Sequence, residues 1–190
     1  EIFKNKTEFK TMIDKIISGG QTGVDRAALN AAIKLKIPHG GWCPKGRKAE
    51  DGTIPDCYQL QETASTDYSE RTKLNIKDSD GTLIIVPEMP IKVTDGTILT
   101  IQEVKERQKP YLIIDLSKIK NVEAIMEWVI KNNISVLNIA GPRESQSPGI
   151  SQLSLELIEA ILTSLLLLKK SDSNLLDKST TDSHSLQFLL

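Results

Sequence analysis

Apolar and polar positions fall along the chain in two kinds of block: short continuous apolar runs, and longer stretches with helical periodicity. Ile16-Ile17 opens the series. It leads through Ser18-Gly19-Gly20-Gln21-Thr22-Gly23 into a segment where Val24, Ala28, Ala31 and Leu35 recur at helical spacing. Gly41-Trp42-Cys43 reads as a short second strand, and Tyr68 to Lys77 as a helix ending at Asp78-Ser79-Asp80-Gly81. Thr82-Leu83-Ile84-Ile85-Val86 has the unbroken apolar character of a strand covered on both faces. A helix over Gly96 to Arg107, a strand over Tyr111 to Asp115, a helix over Val122 to Lys131, a strand over Val136 to Ala140 and a helix from about Pro148 complete the series. Such alternation predicts an α/β fold of Rossmann-like type, a parallel sheet with helices on both faces. Residues 1–11 read as an N-terminal extension, 12–168 as one ligand-binding domain and 169–190 as a C-terminal tail. The tail is rich in Ser, Thr and Asp and reads as mobile from Ser171 to Ser185.

An open parallel sheet binds ligands outside the carboxyl ends of its strands. Four connections are therefore expected to share that edge: Gly19 to Gly23, Pro44 to Gly52, Pro87 to Thr97, and Gly141 to Gly149. The first is the strongest signal. Glycines turn the chain sharply, so that Gly19, Gly20, Gln21, Thr22 and Gly23 can direct amides into one space at a helix N-terminus, the geometry that holds a phosphate. The competing reading is a tight turn in which Thr22 caps the helix and Asp25 closes a capping box. The fourth connection repeats the arrangement. Gly141, Pro142, Arg143, Glu144 and Ser145 leave an apolar strand, Ser147-Pro148 resembles an N-cap with proline behind it, and Arg143 suits two-point contact with a phosphate.

Lys45, Arg47 or Lys48 would neutralise ligand charge, unless that run is only an exposed charged loop. Gly96 and Thr97, behind Thr94-Asp95, offer a further set of amides and a hydroxyl. Arg71 and Asn75 lie four apart on one helix, where they face either the cleft or solvent. Trp42 stacks on a heterocycle or belongs to the core, and Cys43 reads as a small buried hydrophobe. Asp78-Ser79-Asp80 precedes its strand, so it belongs on the opposite edge and reads as a turn.

The 190 residues suit one domain, and a formal charge of −1 gives no electrostatic case for nucleic acid. Two cysteines without CxxC spacing and two histidines point to neither a zinc site nor a disulfide framework. No signal peptide is read in Glu1 to Asp14. The greasiest run, Leu153 to Leu168, carries Glu156 and Glu159 and reads as too short for a bilayer, so a cytoplasmic protein without a membrane partner is expected. One broad stripe, Leu153, Leu157, Ile161, Leu165 and Leu168, predicts a homo-oligomer interface.

Taken in order, Ser18 to Asp25, Gly40 to Arg47, Asp78 to Thr82, and Ala140 to Ser145 with Pro148-Gly149 resemble the family known as putative molybdenum carriers. That family is a circularly permuted branch of the Rossmann-like superfamily that includes the LOG proteins. The resemblance runs from about Met12 to Leu168. It implies a cleft for a nucleotide or pterin phosphate, oligomers, and carriage of molybdenum cofactor (molybdopterin) toward molybdoenzyme recipients. The superfamily's phosphoribohydrolases resemble a pattern of two glycines, one residue, Gly-Thr, two residues and a catalytic Glu. Here Gly96-Thr97 is kept, but Thr100 stands at the glutamate position. The expectation is a carrier or storage protein with no catalytic residue and no protein metal site. A phosphoribohydrolase-like enzyme and a nucleotide-sensing module are the alternatives.

Overall fold

The computed structural model describes residues 13–92 and 96–181, with the backbone alone at 170 and 172–181. The expected N-terminal extension, Thr94 and Asp95 of the third connection, and Leu186 to Leu190 lie outside the described residues. In chain order the elements are β1 (Lys15–Ile17), α1 (Val24–Lys34), β2 (His39–Gly40), β3 (Trp42–Cys43), β4 (Lys48–Ala49), β5 (Gly52–Thr53), β6 (Gln61–Glu62) and α2 (Tyr68–Lys77). They continue with β7 (Gly81–Val86), α3 (Gly96–Glu106), β8 (Tyr111–Asp115), α4 (Glu123–Lys131), β9 (Val136–Ala140) and α5 (Ile150–Thr181).

Five strands form one sheet in the order β2-β1-β9-β7-β8, every neighbouring pair parallel. Counting β9 first turns this into 3-2-1-4-5, the order of the dinucleotide-binding half-sheets. The last strand thus takes the central place that the first strand holds in an unpermuted chain. Connections run outward from the centre in opposite directions, from β1 to β2 and from β7 to β8, which leaves a crevice at the carboxyl ends around β9.

Alternation along β7 shows that both faces are covered. Leu83 and Ile85 pack with Val24, Ala28, Ile125, Val129, Ile158 and Leu162, from α1, α4 and α5. Ile84 and Val86 pack with Ile76 of α2 and Val104 of α3 on the other side. A third cluster, Leu29, Cys43, Ala49, Ile54 and Tyr58, fastens the β3–β6 region to α1. At the amino ends Asp80 accepts hydrogen bonds from the Ser135 and Val136 amides at 3.0 and 2.7 Å, clasping β9 beside β7. Asp78-Ser79-Asp80 is therefore a turn on the edge away from the crevice, as its position before a strand implies.

Four local readings change. The second strand of the main sheet is His39–Gly40, while Trp42–Cys43 pairs with β6 in a small separate sheet. α5 continues to Thr181, so the stretch from Ser171 is helical rather than a tail up to that point. No glycine or proline stands between Ile150 and Thr181 to end it. The Leu153–Leu168 stripe also splits: Ile158, Ile161, Leu162 and Leu165 are buried, whereas Leu153, Leu167 and Leu168 are 54, 60 and 39% exposed. Residues Ile150–Lys169 are long and apolar enough to cross a membrane, contrary to the argument from length, but their buried side completes the core.

The loop after β1 and the loop after β9 are pressed together. Val24 N donates to Pro142 O at 3.2 Å, and a Cβ on Gly23 would lie 2.3 Å from that same oxygen. Gly23 also has φ of 78°, a backbone conformation other residues rarely adopt. Gly46 has the same φ, but nothing lies within 4 Å of its Cβ position. Both alanine variants should lose about 1–3 kcal/mol to backbone strain. Gly23→Ala should lose clearly more in urea denaturation, the excess measuring the loop contact. Equal losses would show that the loops part without cost.

Candidate functional site

At the carboxyl edge the glycine turn is a packed structure rather than an open ring of amides. A Cβ on Gly19 would fall 1.4 Å from Arg71 Nη1, and one on Gly20 2.5 Å from the Leu60 side chain. The glycines serve close approach. Thr22 does not cap α1, whose N-cap is Gly23 with no side-chain bond. Asp25 accepts from the Gln21 amide at 3.3 Å and from Arg71 Nη1 at 2.6 Å. It is 3% exposed, so the buried carboxylate and the guanidinium over Gly19 neutralise one another.

Thr22 and Ser145 converge on a carboxylate from a third segment. The β4–β5 hairpin carries Glu50 at its tip. Its carboxylate accepts from the Thr22 hydroxyl, the Ser145 hydroxyl and, at 3.2 Å, the Ser145 amide. Arg143 Nε stands 3.9 Å away. Burial pushes the Glu50 carboxyl up, but those hydrogen bonds and Arg143 outweigh it, and its pKa falls below the usual range. Gln21 braces the same tip, its Oε1 accepting from the Thr22 and Glu50 amides, both at 3.0 Å. Asp51, next along, binds Arg26 with both oxygens, at 2.5 and 2.7 Å.

Three cations gather around one ring. Lys48 Nζ, Arg71 Cζ and Arg143 Cζ lie 6.0, 5.8 and 5.6 Å from the centre of Tyr68, in the first turn of α2. Beside them, Gly19, Asp25, Arg71, Thr72, Asn75, Gly96, Thr100, Asn138 and Gly141 border a cleft that encloses about 30 Å³. That is room for about one water. Thr97, at the start of α3, is 2% exposed, and its Oγ1 has no partner among the described residues; Arg71 Nε has none either. A wider depression of about 410 Å³ opens on the same edge between Pro87, Glu88, Ile91 and Lys92 on one side and Gln146, Ser147 and Pro148 on the other.

Other expected residues have structural duties. The Arg47 guanidinium donates to the carbonyls of Ile54, Pro55, Tyr58 and Leu60 at 2.8 to 3.3 Å, tying down the segment beyond the hairpin. Lys45 is exposed and joins no ion pair among the described residues, so Lys48 is the cation of that run at the site. Pro142 supplies only the carbonyl that meets α1. Glu144, rather than Ser147, caps α5, accepting from the Gly149 and Ser151 amides at 2.5 and 3.0 Å. A cap needs an acceptor aimed at the first turn, and a six-residue return loop lets a longer side chain supply it. A Cβ on Gly141 would meet Ile85 O at 2.4 Å, so this glycine lets β9 exit beside β7.

Trp42 sits away from the crevice with its ring N–H on Asp78 at 2.7 Å, and Asn75 grips the Trp42 backbone. Cys43 is fully buried in the apolar cluster beneath α1, and burial raises its thiol pKa. No group of three His, Cys, Asp or Glu side chains suited to a metal ion occurs among the described residues. Glu50 and Tyr68 were not singled out from the sequence. The one available sign of Glu50 was a carboxylate directly behind a cationic run; nothing local marks Tyr68.

Comparison with known proteins adds the following. A crystal structure from Syntrophus aciditrophicus SB, named "Putative molybdenum carrier protein", superimposes with a TM-score of 0.74 at 52% identity, covering 79% of this chain and 95% of that one. No curated protein matches significantly. The model of the circularly permutated YpsA SLOG family matches residues 16–162, a span that holds the sheet but for Lys15, and every residue of the crevice. The chain belongs to the circularly permutated YpsA SLOG family.

Proposed function

We propose that this protein binds a phosphate-bearing heterocyclic small molecule, molybdenum cofactor foremost, and holds it for delivery. The observation that carries the reading is a pair of buried donors without partners among the described residues: Arg71 Nε, of a residue on the cleft wall, and Thr97 Oγ1 in the first turn of α3, whose Gly96 and Thr100 line the same cleft. A buried polar group left unpaired costs about 1–3 kcal/mol, so such donors persist where a ligand supplies the acceptor. The helix terminus and Arg71 favour an anion there. The 410 Å³ depression on the same sheet edge falls in the range of small-molecule sites and suits the heterocycle. The name of the Syntrophus protein points to the same cargo.

Holding is favoured over bond cleavage by the fate of two side chains. Thr100 Oγ1 donates to the Gly96 carbonyl at 2.7 Å, inside its own helix. Glu103 pairs with Arg107 on the same helix. One observation supports the phosphoribohydrolase reading instead: Asp25 is a carboxylate on the cleft wall. Its bond to Arg71 argues for a positioning duty.

Mass spectrometry of material purified gently without oxygen should find a pterin. A nucleotide in its place would favour the sensing module. Release of base from a nucleoside monophosphate, lost in Asp25→Asn or Glu103→Ala, would establish the enzyme.

Thr97→Val removes a hydroxyl that the unliganded fold does not use while keeping its shape. Thermal denaturation should therefore show no loss of stability, while affinity for the co-purified ligand falls. A clear loss of stability would mean that the hydroxyl serves the fold. Arg143→Ala should weaken binding by about 1.5–3 kcal/mol, and Arg143→Lys should recover only part, because an ammonium cannot make a planar two-point contact. Isothermal titration decides both. The exposed Leu153, Leu167 and Leu168 of α5 favour a homo-oligomer, and a monomer in light scattering at micromolar concentration would remove that part of the reading.

A further inference from the structure

We propose that Glu50 is an internal stand-in for the phosphate. The Thr22, Ser145 and Arg143 donors around it form an oxyanion seat, and a dianionic phosphomonoester takes that seat by displacing the β4–β5 tip. This rests on the reading of the crevice as an anion site, assigns the phosphate to its Thr22–Ser145 end and the Arg71 and Thr97 donors to other polar atoms of the ligand, and adds how the seat is kept when empty.

The seat is assembled from two distant loops and presents only donors. Two hydroxyls and one amide reach a single carboxylate, with a guanidinium behind them. No acceptor other than Glu50 itself completes the set among the described residues. This is the arrangement that suits an anion with several oxygens. Beside it Gln21 is 5% exposed, and its Nε2 has no partner, although Oε1 of the same amide holds the hairpin tip. A phosphate, with more oxygens than a carboxylate, can use a further donor at this point.

Charge selects the class of anion. Around Tyr68, Lys48, Arg71 and Arg143 have Asp25 and Glu50 among their counter-charges. Withdrawal of Glu50 takes one negative charge from the seat. A phosphomonoester, with about −1.5 to −2 at pH 7, returns more than that charge, whereas a sulfate ester, with one, only replaces it.

The tip is built to leave. β4 and β5 are two residues each, and a hairpin so short has little stability of its own. Nothing lies within 4 Å of the Cβ position at Gly52, so the turn borders open space. Besides Glu50, the Arg26–Asp51 pair, the bond to buried Gln21 and the burial of Ala49 retain the hairpin. Beyond Ala49 the tip reaches the surface, and the Asp51 side chain is 48% exposed.

The test titrates phenyl phosphate and phenyl sulfate into the full chain, as wild type, Glu50→Gln and Glu127→Gln, the last an exposed charge on α4. Occupancy of the seat by Glu50 lowers the apparent affinity by the fraction of molecules in which the seat is open. Glu50→Gln should therefore bind phenyl phosphate about tenfold more tightly than wild type, with Glu127→Gln unchanged. Phenyl sulfate should bind more weakly throughout. Hydrogen exchange on the wild type needs no variant: phenyl phosphate should lower protection at 50–52. Equal affinity in wild type and Glu50→Gln, a gain shared by Glu127→Gln, or unchanged exchange at the tip would each overturn the displacement. The phosphate reading would survive those results, since it falls only if Arg143→Ala and Thr97→Val leave binding of the co-purified ligand intact.

Discussion

Everything at the carboxyl edge depends on how closely three stretches of backbone approach one another. β1 and β9 are adjacent, so the loops that leave them compete for the same space, and β7 lies immediately beyond. Glycine at 19, 23 and 141 resolves the competition: at each position a Cβ would overlap Arg71, Pro142 O or Ile85 O. With those contacts made, the Thr22 and Ser145 hydroxyls fall within reach of one carboxylate, although 123 positions separate the two residues. Close approach also excludes water, which strengthens the electrostatics of the charges gathered there. The site follows from backbone packing first and from side-chain chemistry second.

The sheet's elements were legible because burial on two faces leaves a plain mark. Leu83 to Val86 has no polar residue to report an exposed side, and its neighbours pack on alternate faces as a strand requires. Strand order is another matter. Nothing in the periodicity of Val136 to Ala140 says that it inserts between β1 and β7, because that is decided by long-range pairing, which only the fold displays. The Ser147 cap failed for a related reason, since the loop doubles back and brings Glu144 to the helix end from outside the local motif.

The charged residues were the least legible. Lys45, Arg47 and Lys48 stand almost together and read alike in sequence, yet Lys45 lies in solvent, Arg47 holds four backbone carbonyls and Lys48 approaches Tyr68. An arginine that satisfies carbonyls and one that awaits an anion have the same side chain. Only the path of the backbone separates them. Glu50 illustrates the converse. A carboxylate next to a basic run suggests a local ion pair, whereas the hairpin carries it 28 positions back along the chain to Thr22 and 95 forward to Ser145.

A binding protein and a glycosidic enzyme built on this sheet would differ in what they do with carboxylates. Cleavage calls for an anionic group free to face positive charge developing on a sugar carbon. Here the carboxylates near the crevice are engaged: Asp25 with Arg71, Glu50 with two hydroxyls and an amide, Glu103 with Arg107. Among the described residues the unpartnered buried groups on this side of the fold are able to donate, Thr97 Oγ1, Arg71 Nε and Gln21 Nε2. Donors that bind an anion equally in ground and transition state lower the dissociation constant without accelerating chemistry. Occupied carboxylates beside open donors accord with the proposed binding role.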